Sequence, residues 1–232
     1  FQNKKKNSMS REYTDIFIRD DREECANNYQ QYILDCNKGK KTIKAKNISI
    51  VDLVRGADNI NDNNEIECIA LNTQWNEQCK STTSLNNMIA MVDTSGSMET
   101  DNYKPLYSAI GLGLRVAEKS SFGKRVLTFS NNPEWVNLDD CKTFVESVKK
   151  IRRAPWGMNT NFIAALDLIL NTAISSGISP ELLGETTLVI FSDMQIDDAI
   201  NSYSSTKNNS NLNTLFENIK TKYDEAGKRS IF

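Results

Sequence analysis

The run Asp93-Thr94-Ser95-Gly96-Ser97 sets one carboxylate and two hydroxyls at alternate positions, a spacing that can turn three oxygens toward one point. A hard cation of magnesium size wants such a set: oxygen donors, one or two carboxylates, and water in the remaining octahedral positions. Asp-x-Ser-x-Ser alone arises by chance in roughly one sequence of this composition in eight, so the spacing by itself decides little. Requiring the apolar run Met88 to Val92 before it lowers that to about one in several hundred to a thousand. Two further oxygen groups stand downstream. Thr160 lies in Gly157-Met158-Asn159-Thr160-Asn161-Phe162, and Asp193 ends the run Thr187 to Asp193 (TLVIFSD). Their plainer roles are helix capping for Thr160 and Asn161, and a turn for Asp193.

Composition removes most rival chemistry. The 232 residues contain no histidine, so Ser-His-Asp and Cys-His nucleophiles, HExxH zinc proteases and histidine proton shuttles are excluded. An aspartic protease needs two Asp-Thr-Gly turns, and Ser95 stands at the glycine position of the one candidate. A haloacid-dehalogenase-type phosphotransferase needs an aspartate where Ser95 stands. Phe122-Gly123-Lys124-Arg125 lacks the preceding glycine of a phosphate loop. The five cysteines (Cys25, Cys36, Cys68, Cys79, Cys141) form no CxxC pair and are expected as reduced, small buried hydrophobes of an intracellular protein. With 28 basic and 30 acidic residues, no global positive field draws the chain to nucleic acid or lipid. Lys38, Lys40, Lys41, Lys44 and Lys46 form a local cluster, which is either an RNA phosphate contact or a solvated face. No apolar run approaches the roughly 20 residues of a membrane span.

The elements that must position these oxygens follow from periodicity. Residues 1 to 11 are polar and basic. Helical spacing runs from Asp21 to Asn37, from Ser49 to Arg55 and from Asn64 to Cys79, with the stretch ADNINDNN as a loop. After Asn87 short apolar runs alternate with amphipathic helices, the pattern of an α/β fold with a mainly parallel sheet. Strands are predicted at Met88 to Val92, Arg125 to Ser130, Glu134 to Leu138 and Thr187 to Phe191. Helices are predicted at Pro105 to Lys119, at a segment opened by Asp139 and Asp140 and closed before Pro155, at Asn161 to Ala173, and at Leu212 to Ala226 closed by Gly227. The polar loop 198 to 211 lies before the last. In an open parallel sheet ligands sit beyond the carboxyl ends of the strands, where both Asp93 and Asp193 fall. That position also puts Asp93 at a sheet edge, outside the core.

Asp93-x-Ser95-x-Ser97, Thr160 in its Gly-Met-Asn-Thr-Asn-Phe loop, and Phe191-Ser192-Asp193 together resemble the metal-ion-dependent adhesion site of von Willebrand factor A domains, over about residues 86 to 232. Trp156-Gly157-Met158-Asn159-Thr160 and Phe191-Ser192-Asp193-Met194 further resemble uncharacterised plant and giant-virus proteins in which this module follows a TROVE-like helical region, akin to the Ro RNA-binding autoantigen. The resemblance implies a Rossmann-like three-layer α/β sandwich. Ser95, Ser97 and Thr160 would then be direct ligands of Mg2+ or Mn2+, with Asp93 and Asp193 acting directly or through water. An acidic residue from a protein partner would complete the octahedron. Met194 stands where many members have glycine, a departure from the family pattern at the rim of the site.

The resulting expectation is a helical extension at residues 1–85, read as the end of an upstream TROVE-like region, followed by a vWA-like domain at 86–232 that stops short of at least one strand and helix. The function expected is non-enzymatic, Mg2+-dependent protein binding within a larger cytoplasmic or virion-associated assembly, without membrane contact. Trp156, Met158 and Asn159 are the expected partner contacts beside the metal. The alternative is an accessory role in a Ro-like RNA-binding protein.

Overall fold

Three apolar runs and one short hairpin arm build the sheet. The computed structural model describes residues 21–61, 63–80, 85–130, 132–155, 161–193, 217 and 220–227. The strands are β1 (Met88–Asp93), β2 (Arg125–Phe129), β3 (Trp135–Asn137) and β4 (Thr187–Phe191), in the spatial order β3-β2-β1-β4. β1 pairs in parallel with β2 and β4, while β3 returns antiparallel to β2. The central strand buries both faces, as its unbroken apolar run requires. Ala90 and Val92 face one apolar cluster, and Ile89 and Met91 face the other, as the two-residue period of a strand dictates.

Helices cover both faces and make the α/β sandwich. On one side lie α4 (Thr100–Ala117) and α5 (Phe144–Arg152); on the other lie α6 (Phe162–Ser175), the short α7 (Pro180–Gly184) and Tyr223, from the helical residues 220–225. Preceding them are α1 (residues 21–37), α2 (Ile50–Asn59, capped by Ser49) and α3 (Glu65–Cys79, capped by Asn64). Leu53, Val54 and Ala57 of α2, with Trp75 and Cys79 of α3, share one core with β1, α4 and α5. Trp75 is 1% exposed. Its ring stacks on Phe144 at 4.2 Å, and its indole N–H donates to the Glu118 carboxylate at 3.0 and 3.1 Å. Burying an indole removes roughly 200 Å² from water, worth at most about 5 kcal/mol. The end of α1 packs separately, with Ile33 and Cys36 against Ile43, Ala45 and Ala70.

Close approach explains two glycines in α4. A Cβ on Gly113 would stand 2.4 Å from Val92 Cγ2 of β1, and one on Gly111 only 2.2 Å from Ile50 Cγ2 of α2. The helix therefore touches the sheet on one side and the preceding helical layer on the other.

Several boundaries differ from the sequence reading. Ala57, Asp58 and Asn59 belong to α2 and not to the loop. α5 begins at Phe144 and not at Asp139: Thr143 Oγ1 accepts from Glu146 N–H, and Glu146 reaches back to Lys142 N–H, a stronger start signal than two acids. Asp140 instead pairs with Lys150, whose ammonium holds its carboxyl below the usual range. α7 is absent from the expected list because five residues leave no periodicity. Cys25 is exposed and Cys68 and Cys141 are partly so, against the expectation of five buried thiols; only Cys36 and Cys79 are buried. Residues 198–211 and the start of the last expected helix lie outside the described residues. Among the described residues no helix is long and apolar enough to cross a membrane.

Candidate metal centre

β1 delivers Asp93 to its carboxyl end at the middle of the sheet, where the register sets Val92 against Thr128 of β2 and Phe191 of β4. Asp93 is 1% exposed, so it belongs to the buried interior and not to an open edge as the sequence suggested. Its Oδ1 accepts the backbone N–H of Ser95 at 2.8 Å, and its Oδ2 accepts a short hydrogen bond from Ser192 Oγ. Among the described residues no lysine or arginine pairs with it. A buried carboxylate without a cation is costly, and two donors offset only part of that cost.

The two serines complete the cluster. Ser95 Oγ and Ser97 Oγ lie 3.0 Å apart. Adjacent ligands of an Mg2+ octahedron with bonds of 2.0–2.1 Å stand about 2.9 Å apart, so the pair has the separation of one octahedral edge. Below them Met98, in a 3-10 turn spanning Gly96–Glu99, is buried and anchors the loop. The adjacent Thr94 Oγ1 is buried with no hydrogen-bond partner. Asp193 follows Ser192 directly beyond β4 and is partly buried. Among the described residues no three Cys, Asp or Glu side chains converge as a metal cluster. A site of hydroxyls with one or two carboxylates needs no such triad, and the donor set here suits a hard divalent cation.

Ser192 is the residue that the sequence reading missed. The signal was present in Phe191-Ser192-Asp193, but its role appears only once β4 is known to lie beside β1. Asn161 is the N-cap of α6, its Oδ1 accepting from Ala164 N–H at 3.0 Å, the capping role expected of it. Thr160, with Trp156, Met158 and Asn159, lies outside the described residues.

Beyond the serines the chain makes an unusual turn. Asp101, Asn102 and Tyr103 have φ of 48°, 55° and 61°, three consecutive left-handed residues without a glycine. Such a run costs about 1–2 kcal/mol per residue and must be held by its surroundings. Tyr103 packs on Tyr107 at 5.9 Å between ring centroids, with the Arg152 guanidinium 5.6 Å from the Tyr103 centroid. Asp58 of α2 binds both partners, accepting from Arg152 Nε and Tyr107 Oη at 3.0 Å each. Burial, then the hydrogen bond to Asp58, raises the Tyr107 phenol.

Fold and site together define an α/β sandwich with a cluster of hydroxyls and a buried carboxylate at the carboxyl end of its central strand. Residues 87–230 match a family model described as a domain of unknown function (DUF7788), and the chain belongs to that family. Over 230 residues it is 34% identical to "Uncharacterized protein L728" of Acanthamoeba polyphaga mimivirus, a match covering 97% of this chain and 37% of that protein. The chain thus spans little more than a third of that relative's length. No solved structure matches it.

Proposed function

We propose that this chain is a von Willebrand factor A-like module that binds a protein partner through Mg2+, or Mn2+ in its place, held at the end of β1. The observation that carries this reading is the buried, cation-free Asp93 carboxylate beside two serine hydroxyls at octahedral-edge separation. Ser95, Ser97 and Thr160 would hold the ion directly, with Asp93 and Asp193 acting directly or through water. Neutral hydroxyls leave the ion short of negative charge, so a partner's carboxylate gains by replacing a water. The reading is non-enzymatic: the ion serves as a bridge to the partner's carboxylate. We place this module within a larger intracellular or virion assembly, and a mimivirus relative is consistent with a virion-related origin.

The test is Mn2+ binding by calorimetry, with a pull-down run with and without chelator. Saturable binding that is lost in Asp93→Asn, together with partner retention that chelator abolishes, supports the reading. Equal Mn2+ affinity in the variant removes the site, and chelator-insensitive retention removes the metal from recognition. A second reading, RNA binding, is favoured by one observation: Lys38, Lys40, Lys41, Lys44 and Lys46 are all exposed on one short stretch. RNA retention that falls steeply with salt and ignores chelator would select it.

A further inference from the structure

The metal loop runs into the left-handed turn without a break. Met98 N–H donates to Ser95 O at 3.1 Å and Thr100 N–H donates to Ser97 O, so the backbone that follows each serine is fastened to it. Asp101, Asn102 and Tyr103 come next. Aspartate and asparagine visit left-handed backbone readily, whereas a tyrosine stays there only when its surroundings hold it. The turn's own ion pair, Lys104 with Asp101, is exposed on both sides and contributes little. What holds Tyr103 comes from other elements: its ring lies against Tyr107 and the Arg152 guanidinium, and both of these donate to Oδ2 of Asp58 on α2 at 3.0 Å. The side chains of Arg152 and Asp58 are only 21% and 17% exposed, so their pairing is screened far less than that of Lys104 and Asp101.

Release of this brace has a direction. Without the Asp58 carboxylate, Arg152 and Tyr107 lose the acceptor that fixes them, and Tyr103 is free to return to negative φ, the favoured region for a bulky residue. The change passes through Thr100 to Ser97, whose hydroxyl stands 3.0 Å from that of Ser95. Mg2+ demands near-ideal octahedral geometry with bonds of about 2.0–2.1 Å, whereas Ca2+ accepts irregular shells at about 2.3–2.6 Å. A loosened pair of serines therefore costs Mg2+ more than Ca2+.

We propose that Asp58 is a positioning residue which, through Arg152 and Tyr107, holds Tyr103 in the left-handed turn and so sets the preference of the site for Mg2+ over Ca2+. This rests on the metal reading above. The test is calorimetric titration of the full chain and its variants with Mg2+ and, separately, with Ca2+. Asp58→Asn and Tyr103→Ala should each lower Mg2+ affinity by roughly three- to tenfold, toward the low end of what supporting groups of a metal site contribute, and leave Ca2+ affinity within about twofold. Asp58→Asn made in the Tyr103→Ala background should add little, since both act through the same ring. Ile33→Val, in the separate cluster at the end of α1, loosens packing there and should move neither affinity. Unchanged Mg2+ affinity in Tyr103→Ala, additive losses in the double variant, or a fall shared equally by Mg2+ and Ca2+ overturns the proposal and leaves the metal reading standing. A chain that binds no Mg2+ removes both. Tyr103→Ala alters a residue that is 37% exposed, so it decides the matter if Asp58→Asn does not fold.

Discussion

Among the described residues Asp93 meets two donors and no cation, which separates two effects of changing it. Asp93→Asn keeps a carbonyl oxygen for one donor and removes the charge, so Mn2+ affinity should fall at least about tenfold with little loss of stability. Asp93→Ala should lose the metal and also about 1–3 kcal/mol, because the buried Ser95 N–H loses the carboxylate that accepts it. Calorimetry and urea unfolding on the pair check both statements, and equal stability of the two variants would contradict the second. Ser192→Ala frees Asp93 Oδ2 and should weaken the metal only severalfold, as expected for a group that orients a ligand. The Asp93, Ser95 and Ser97 pattern was legible in sequence because the three are local and follow an apolar run. Ser192 was not, because its partner stands 99 residues away and becomes a neighbour only through the β1–β4 register.

At the level of elements, α4 shows two preferences in opposition. Gly113→Ala should gain about 1 kcal/mol of helix propensity. The new methyl, however, would meet Val92 Cγ2 at 2.4 Å in a fully buried interface, and overpacking costs about 1–3 kcal/mol. The packing term wins, and urea unfolding should show a net loss; a stabilised variant would mean that α4 can move off the sheet. The same helix marks where sequence legibility ends. Pro105 signalled a helix start, and regular α geometry does resume just after Tyr103. The left-handed run of Asp101 to Tyr103 left no sign, since no glycine marks it and its supports, Arg152 and Asp58, come from α5 and α2. Three of the four strands were readable as short apolar runs, and β3 from the brief apolar pair Trp135-Val136. The start of α5 was not, because Asp139 and Asp140 fit a first turn as well as they fit a loop that pairs with Lys150.

Across the whole molecule, several buried proton donors share one sign. Burial, and then the adjacent Glu118 carboxylate, push the Cys79 thiol up to about 11 from an ordinary 9.0. Burial likewise raises the Tyr107 and Tyr223 phenols. The folded state therefore holds these protons more tightly than the unfolded chain. The stability they contribute is fully present below about pH 9 and is lost as the pH climbs through the folded value of Cys79, about 11. Unfolding free energy measured by urea should fall across that window, and Cys79→Ala should flatten part of the fall. A flat profile in the unaltered chain would show that these groups titrate alike in both states.

The seating of Trp75 separates what is inherited together from what folds together. The family match begins at residue 87, yet the side chains that close the outer face of α4 and α5 arrive from α2 and α3, before that boundary. A fragment cut at the boundary would keep every oxygen of the Asp93 cluster and lose the indole that fills the space beside Phe144. It would also lose Asp58, whose carboxylate braces the left-handed turn after the serines through Arg152 and Tyr107. The portable segment of sequence and the packed body are therefore different objects in this protein, and the preceding helices brace the turn that follows Ser95 and Ser97.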